Sequence, residues 1–172
     1  MNRKSFLMLG AALALSACAT GGAIPLGPDG RPLPQVYRIT PEVSRQIPFR
    51  MLDSVNSLRS ARGAGPLALN AELNAAAATH SRDMSLQNRP WHFGSDGSSP
   101  FDRVQRVGYR GRVVGELISE SFETELETLA AWMGQPDTRE IVLEPSANQL
   151  GLAWFQENSG KIWWTMITGA GP

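Results

Sequence analysis

Apolar residues recur at helical spacing in two stretches of the first half of the chain. Pro48 opens the first, where Met51, Leu52, Val55 and Leu58 follow at that spacing before Gly63 and Gly65-Pro66 end it. The second pattern is the strongest in the sequence: Leu69, Leu73, Ala76, Ala77, His80 and Met84 share one face, with Asn70 placed to cap it. A third, short helix is signalled by Ser99-Pro100-Phe101-Asp102. Ser99 can cap, Pro100 suits the first helical position, Asp102 can close a capping box, and Gly108 ends it. Arg112 to Ser121 then alternates as a strand. Glu123 to Gln135 returns to helical period through Leu126, Leu129, Ala130 and Met133, until Pro136 closes it.

The end of the chain reads as a hairpin, with Gln149 to Gln156 and Lys161 to Thr168 flanking the turn residues Asn158-Ser159-Gly160. Leu150, Leu152 and Trp154 fall on one face of the first strand, Ala153 and Phe155 on the other. In the second strand, Trp163 and Trp164 must point to opposite faces. A sheet apolar on both sides needs cover on both sides. Helices in front, strands behind and both faces covered predict an α+β fold, a three-layer α-β-α sandwich around a central, mainly antiparallel sheet. There is no internal repeat.

The start of the chain changes the expected compartment. Asn2-Arg3-Lys4 is a basic beginning, and Phe6 to Leu15 is an apolar run too short to span a bilayer but of the length of a signal-peptide core. It runs into Leu15-Ser16-Ala17-Cys18, which resembles a bacterial lipobox and contains the one cysteine of the chain. The expectation is a lipoprotein signal peptide over 1–17, then lipidated Cys18 and a Gly/Pro-rich tether over 18–46, then one domain over 47–172. Ala19, rather than Asp, after the cysteine points to the outer membrane, with the domain facing the periplasm. Cys18, so used, leaves the domain without a disulfide. The 16 basic and 16 acidic residues balance, which argues against a nucleic-acid partner.

Candidate chemistry gathers around the two histidines, His80 and His92. His80 lies on the apolar stripe of its helix and reads as a buried histidine satisfied by a local partner. His92 sits in the loop from Arg89 to Arg103, near Trp91, which could stack on a sugar ring. Gly94-Ser95-Asp96-Gly97 is not a Gly-x-Ser-x-Gly nucleophile elbow. Ser98 and Ser99 read as turn and capping residues. Glu116 shares its strand face with Val114 and Ile118, where an unpaired carboxylate is costly. A hydrogen bond from His92 would offset that cost, either as a general base held for hydrolysis or as an ion pair stapling loop to sheet. With Asp96, the pair could bind a divalent cation weakly; no other cofactor is indicated.

The ordered set "VNSLRSARG" (Val55 to Gly63), "HFGSDGSSPFDRVQRVGY" (His92 to Tyr109), "GELISE" (Gly115 to Glu120), "WMGQP" (Trp132 to Pro136) and "GLAW…IWWTMITG" resembles the bacterial CAP superfamily. Those proteins are relatives of cysteine-rich secretory, antigen 5 and pathogenesis-related proteins. The resemblance implies an α-β-α sandwich with a cleft lined by histidines and glutamates. His92 matches its first cleft histidine and Glu116 the glutamate of its Gly-Glu-Asn motif, which here reads Gly-Glu-Leu. Thr138 stands where bacterial members carry a second histidine, Trp163 roughly where animal and plant members take one from a late strand, and Gln135 near a second glutamate. The expected cleft is thus His92, Asp96, Glu116, Gln135 and Thr138. The expected function is a lipid-anchored envelope protein, a binding or interaction module meeting the membrane through Cys18 and an envelope ligand or protein through the cleft. The alternatives are an envelope hydrolase acting on peptide or peptidoglycan through His92 and Glu116, with or without a metal ion, and a lipid- or sterol-binding protein, as some members are.

Overall fold

The computed structural model describes residues 26–33 and 35–171. The expected signal peptide and the Cys18 lipidation site lie outside those residues. In the first described segment, Gly27 donates to the Arg31 carbonyl at 2.7 Å around a tight turn at Asp29-Gly30, joined by a bridge between Leu26 and Pro32.

The elements among the described residues are α1 (Pro41–Ser60), β1 (Ala68–Leu69), α2 (Ala71–Gln87), α3 (Pro100–Arg106), β2 (Arg112–Glu120), α4 (Glu125–Gly134), α5 (Pro136–Leu143), β3 (Gln149–Gln156) and β4 (Ile162–Ala170). The sheet order is β1-β3-β4-β2, with β4 antiparallel to both neighbours and the two-residue β1 parallel to β3. The fold is the expected α+β sandwich. Ile47, Met51, Leu129, Trp132 and Val142 from α1, α4 and α5 pack with Leu117, Leu150, Leu152, Trp164 and Met166. On the other side, Leu73, Ala76 and Ala77 of α2 and Val104 of α3 pack with Val113, Ala153 and Ile167.

Three elements differ from the pattern in the sequence. Helix α1 begins seven residues before Pro48, at Pro41, behind a Thr40 cap that accepts from Val43. Pro48 sits inside it, where the lost hydrogen bond and ring clash cost about 3 kcal/mol. Ile47, Met51 and Val55, all fully buried on one stripe, offset that cost. Pro136 ends α4 and also starts α5: Gln135, extended at φ −103 and ψ 132, serves both helices, as the residue before a proline tends to. Strand β1 is too short to leave a periodic signal.

Two close contacts set the spacing of the layers. Arg59 is fully buried and donates to the carbonyls of Gly65, Val142, Glu144 and Ala147 at 2.8 to 2.9 Å, tying the ends of α1 and α5 and the approach to β3 together. Gly151 in β3 lies directly under α2, where an added Cβ would come within 2.2 Å of the Leu73 carbonyl carbon. Gly151→Ala must therefore push α2 off the sheet. Urea denaturation should show a loss of about 3 kcal/mol or more, the upper end for an overpacked core.

Candidate functional site

Three local devices bring the site together. Helix α3 is fixed by its capping box: the Ser99 amide donates to Asp102 at 2.8 Å, and the Asp102 amide donates back to the Ser99 hydroxyl at 3.3 Å. One turn later Arg103 points inward and is buried. Helix α2 carries His80 one turn from Ala76 and from Met84, completely buried. The loop between the two helices leaves α2 through Asn88 in the left-handed region (φ 48). Asp83 anchors it by accepting from the Ser95 amide at 2.7 Å and hydroxyl at 2.6 Å, and Trp91 donates to Gln87 at 2.8 Å.

The third device is a β-bulge. The register of β2 against β4 shifts between Val113 and Gly115. Simple alternation puts Glu116 on the face of Val114, but the inserted residue reverses that parity. Val114 packs in the α1 layer, whereas Val113 packs beneath α2 and α3. Glu116 pairs across the ladder with Ile167, of that same α2 layer, and faces the polar groups of α2, α3 and their loop.

Those groups converge on one carboxylate whose side chain is 1% exposed. Oε1 accepts from His92 Nδ1 at 2.9 Å, and Oε2 accepts from the Arg103 guanidinium at 2.6 Å. Arg103 also donates to the carbonyls of His92 at 3.1 Å and Ser98 at 2.9 Å. His80 Nε2 lies 2.9 Å from the Trp91 carbonyl and 3.6 Å from Glu116 Oε1. A carbonyl only accepts, so Nε2 carries the proton. Burial pushes the His80 pKa down, partly opposed by the charge of Glu116, which leaves a neutral ring whose Nδ1 has no partner among the described residues. The His92 side chain is 49% exposed, and among the described residues only its Nδ1 is hydrogen-bonded.

The remaining expected residues stand apart from this cluster. Asp96 accepts from the Ser98 amide at 2.9 Å and from Arg106 at 2.5 Å, and the hydrogen bonds from Ser98 hold its carboxyl well below the usual range. Asp96 lines a neighbouring cleft of about 280 Å³ between α2 and α3, not the His92 pair. Among the described residues, no three His, Cys, Asp or Glu side chains are placed to hold a metal ion, so the cation set of His92, Glu116 and Asp96 does not form. Thr138 donates to the Trp132 carbonyl at 2.5 Å, and Gln135 exposes its side chain at the junction of α4 and α5. No hydrogen bond joins either of them to Glu116 or His92 among the described residues. Trp163 is buried and donates to Glu157 at 2.6 Å. Arg103 is the group that sequence reasoning passed over. The capping box at Ser99 was its one signal, since it turns the next residue toward the core.

Residues 52–168 match the CAP family, described as the cysteine-rich secretory protein family. This chain belongs to that family. It is 28% identical over 120 residues to the YkwD protein of Bacillus subtilis, covering 70% of this chain but only 46% of that longer protein. In structure it is similar to an outer surface protein of Borrelia burgdorferi (TM-score 0.68, 14% identity, 75% of this chain and 96% of that one). It is also similar to an extracellular protein with an SCP domain from Bacillus anthracis (TM-score 0.65, 23% identity, 77% and 44%). These structural likenesses show a shared fold.

Two outcomes test the cluster. Glu116→Leu strands the buried Arg103 guanidinium and should cost about 3–5 kcal/mol in chemical denaturation, whereas the double variant Glu116→Leu/Arg103→Leu should recover most of it. Because His80 is neutral when folded and takes up a proton readily when unfolded, protons favour the unfolded chain. Its contribution is complete above the ordinary value of 6.5 and is lost as the pH falls from there toward the depressed folded value. Melting temperature should drop over that acidic range, and less so in His80→Gln.

Proposed function

We propose that this chain is an exported, lipid-anchored protein of the cell envelope that uses the half-exposed His92 to bind a ligand. The observation that carries the binding reading is the state of Glu116. Both of its oxygens already accept hydrogen bonds, from His92 and from Arg103. A carboxylate so engaged orients its neighbours and is poorly placed to take a proton from water. The imidazole edge of His92 is what the cluster offers to a ligand, beside the tilted pair of Trp91 and Phe93, whose rings lie 5.6 Å apart. Anchoring is supported by the apolar run Phe6 to Leu15 that leads into Cys18 and by the Gly/Pro-rich stretch after it; no described helix is long and apolar enough to cross a membrane.

A second reading has one observation in its favour. A half-exposed imidazole backed by a buried carboxylate is the arrangement by which hydrolytic sites hold a general base. On that reading the chain cleaves peptide or peptidoglycan in the envelope. Turnover of such substrates by the intact protein, lost in His92→Ala, would replace binding with hydrolysis. The binding reading expects no turnover, and an envelope species that co-purifies with the wild type but not with His92→Ala.

The anchor is tested separately. Metabolic labelling with an alkyne fatty acid should mark the wild-type chain in the membrane fraction. Cys18→Ser should lose the label and pass into the soluble fraction, and a variant that stays membrane-bound would overturn the lipid anchor.

A further inference from the structure

We infer that His80 is a positioning residue for His92, acting with Arg103 to hold the imidazole of His92 in its Nδ1–H form with Nε2 bare. Two consecutive backbone carbonyls are each held by a buried side chain. Trp91 O is held from below by His80 Nε2 at 2.9 Å, and His92 O by Arg103 at 3.1 Å. Both holding groups are buried, and both also face Glu116, His80 at 3.6 Å from Oε1 and Arg103 at 2.6 Å from Oε2. The backbone that carries His92 and the carboxylate that receives its ring are therefore fixed by the same two side chains.

The protons follow from the partners. Glu116 is paired with Arg103 and accepts at both oxygens, so the hydrogen at the contact with His92 sits on Nδ1. In a neutral ring that leaves Nε2 as a lone pair, the reverse of the form free histidine prefers. A small shift of the Trp91-His92 peptide would break the Nδ1 contact and release the ring to its ordinary preference. His80 prevents that shift. Its neutral state also matters: a charged imidazole at His80 would compete with the His92 ring for Oε1, and burial keeps the proton off it. Its unpartnered Nδ1 is the cost of this arrangement, a buried acceptor turned away from its one hydrogen-bond partner.

The inference rests on His92 being the working group of the site, but its test needs no ligand, so it can fail while the proposed function stands. The measurement is the pair of ring ¹⁵N shifts of His92 in the full domain, taken above the ordinary histidine range. Wild type should show Nδ1–H in about tenfold or greater excess, as expected for a bond to a charged acceptor. His80→Leu should lower that ratio severalfold with the backbone spectrum otherwise retained. His80→Gln, whose amide can donate to the Trp91 carbonyl, should restore it. A wild-type ring found as Nε2–H overturns the inference without any variant, which covers the case in which His80→Leu does not fold. So does a folded His80→Leu protein whose His92 ring is unchanged.

Discussion

Glu116 and Arg103 form an ion pair that water does not reach, and the polar side of this structure is arranged around it. Removing two charges from solvent costs several kcal/mol per ion, and one short contact rarely offsets that alone. Here much of the remaining hydrogen-bonding capacity is used as well, with Arg103 also bonded to two carbonyls and Glu116 to His92, while Arg103 Nε is left without a partner among the described residues. The consequence is geometric. The pair is tolerable only when the bulge in β2, the start of α3 and the loop after α2 are all in place, so one interaction selects the conformation of three segments distant in sequence.

Much of the fold was legible in the amino-acid pattern because most elements carry local signals. The α2 stripe, the Ser99 capping box and the alternation of Leu150, Leu152 and Trp154 each follow from spacing alone. The differences arise where one residue type serves two purposes. Proline starts helices and interrupts them, so Pro48 and Pro136 were read in only one of their possible senses. At the site, the pairing of His92 with Glu116 could be anticipated from the expense of burying a carboxylate. The face on which Glu116 sits could not be derived from alternation, because the bulge that sets it is a property of the β2–β4 ladder. Arg103 was hidden for a related reason: arginine is usually solvated, and only its buried partner explains its inward turn.

Membership in the cysteine-rich secretory protein family gives this geometry a setting. Where the resemblance leads one to expect further histidine and glutamate, Thr138 closes a helix junction and Gln135 faces solvent. The polar groups gathered at the site are those of His92 and the side chains beneath it. His80, which the apolar stripe of α2 marks as a core residue, is both that and part of this group: its burial makes it neutral, and its neutrality suits the place it occupies.

The bulge between Val113 and Gly115 has one more effect, on the outside of the molecule. Strand β2 is an edge of the sheet, with peptide groups on its outer side that another extended chain could in principle pair with. A strand that kinks near its start, with exposed Arg112 just before the kink, offers a poor template for such pairing. The same extra residue that aims Glu116 inward therefore discourages neighbouring copies from stacking edge to edge.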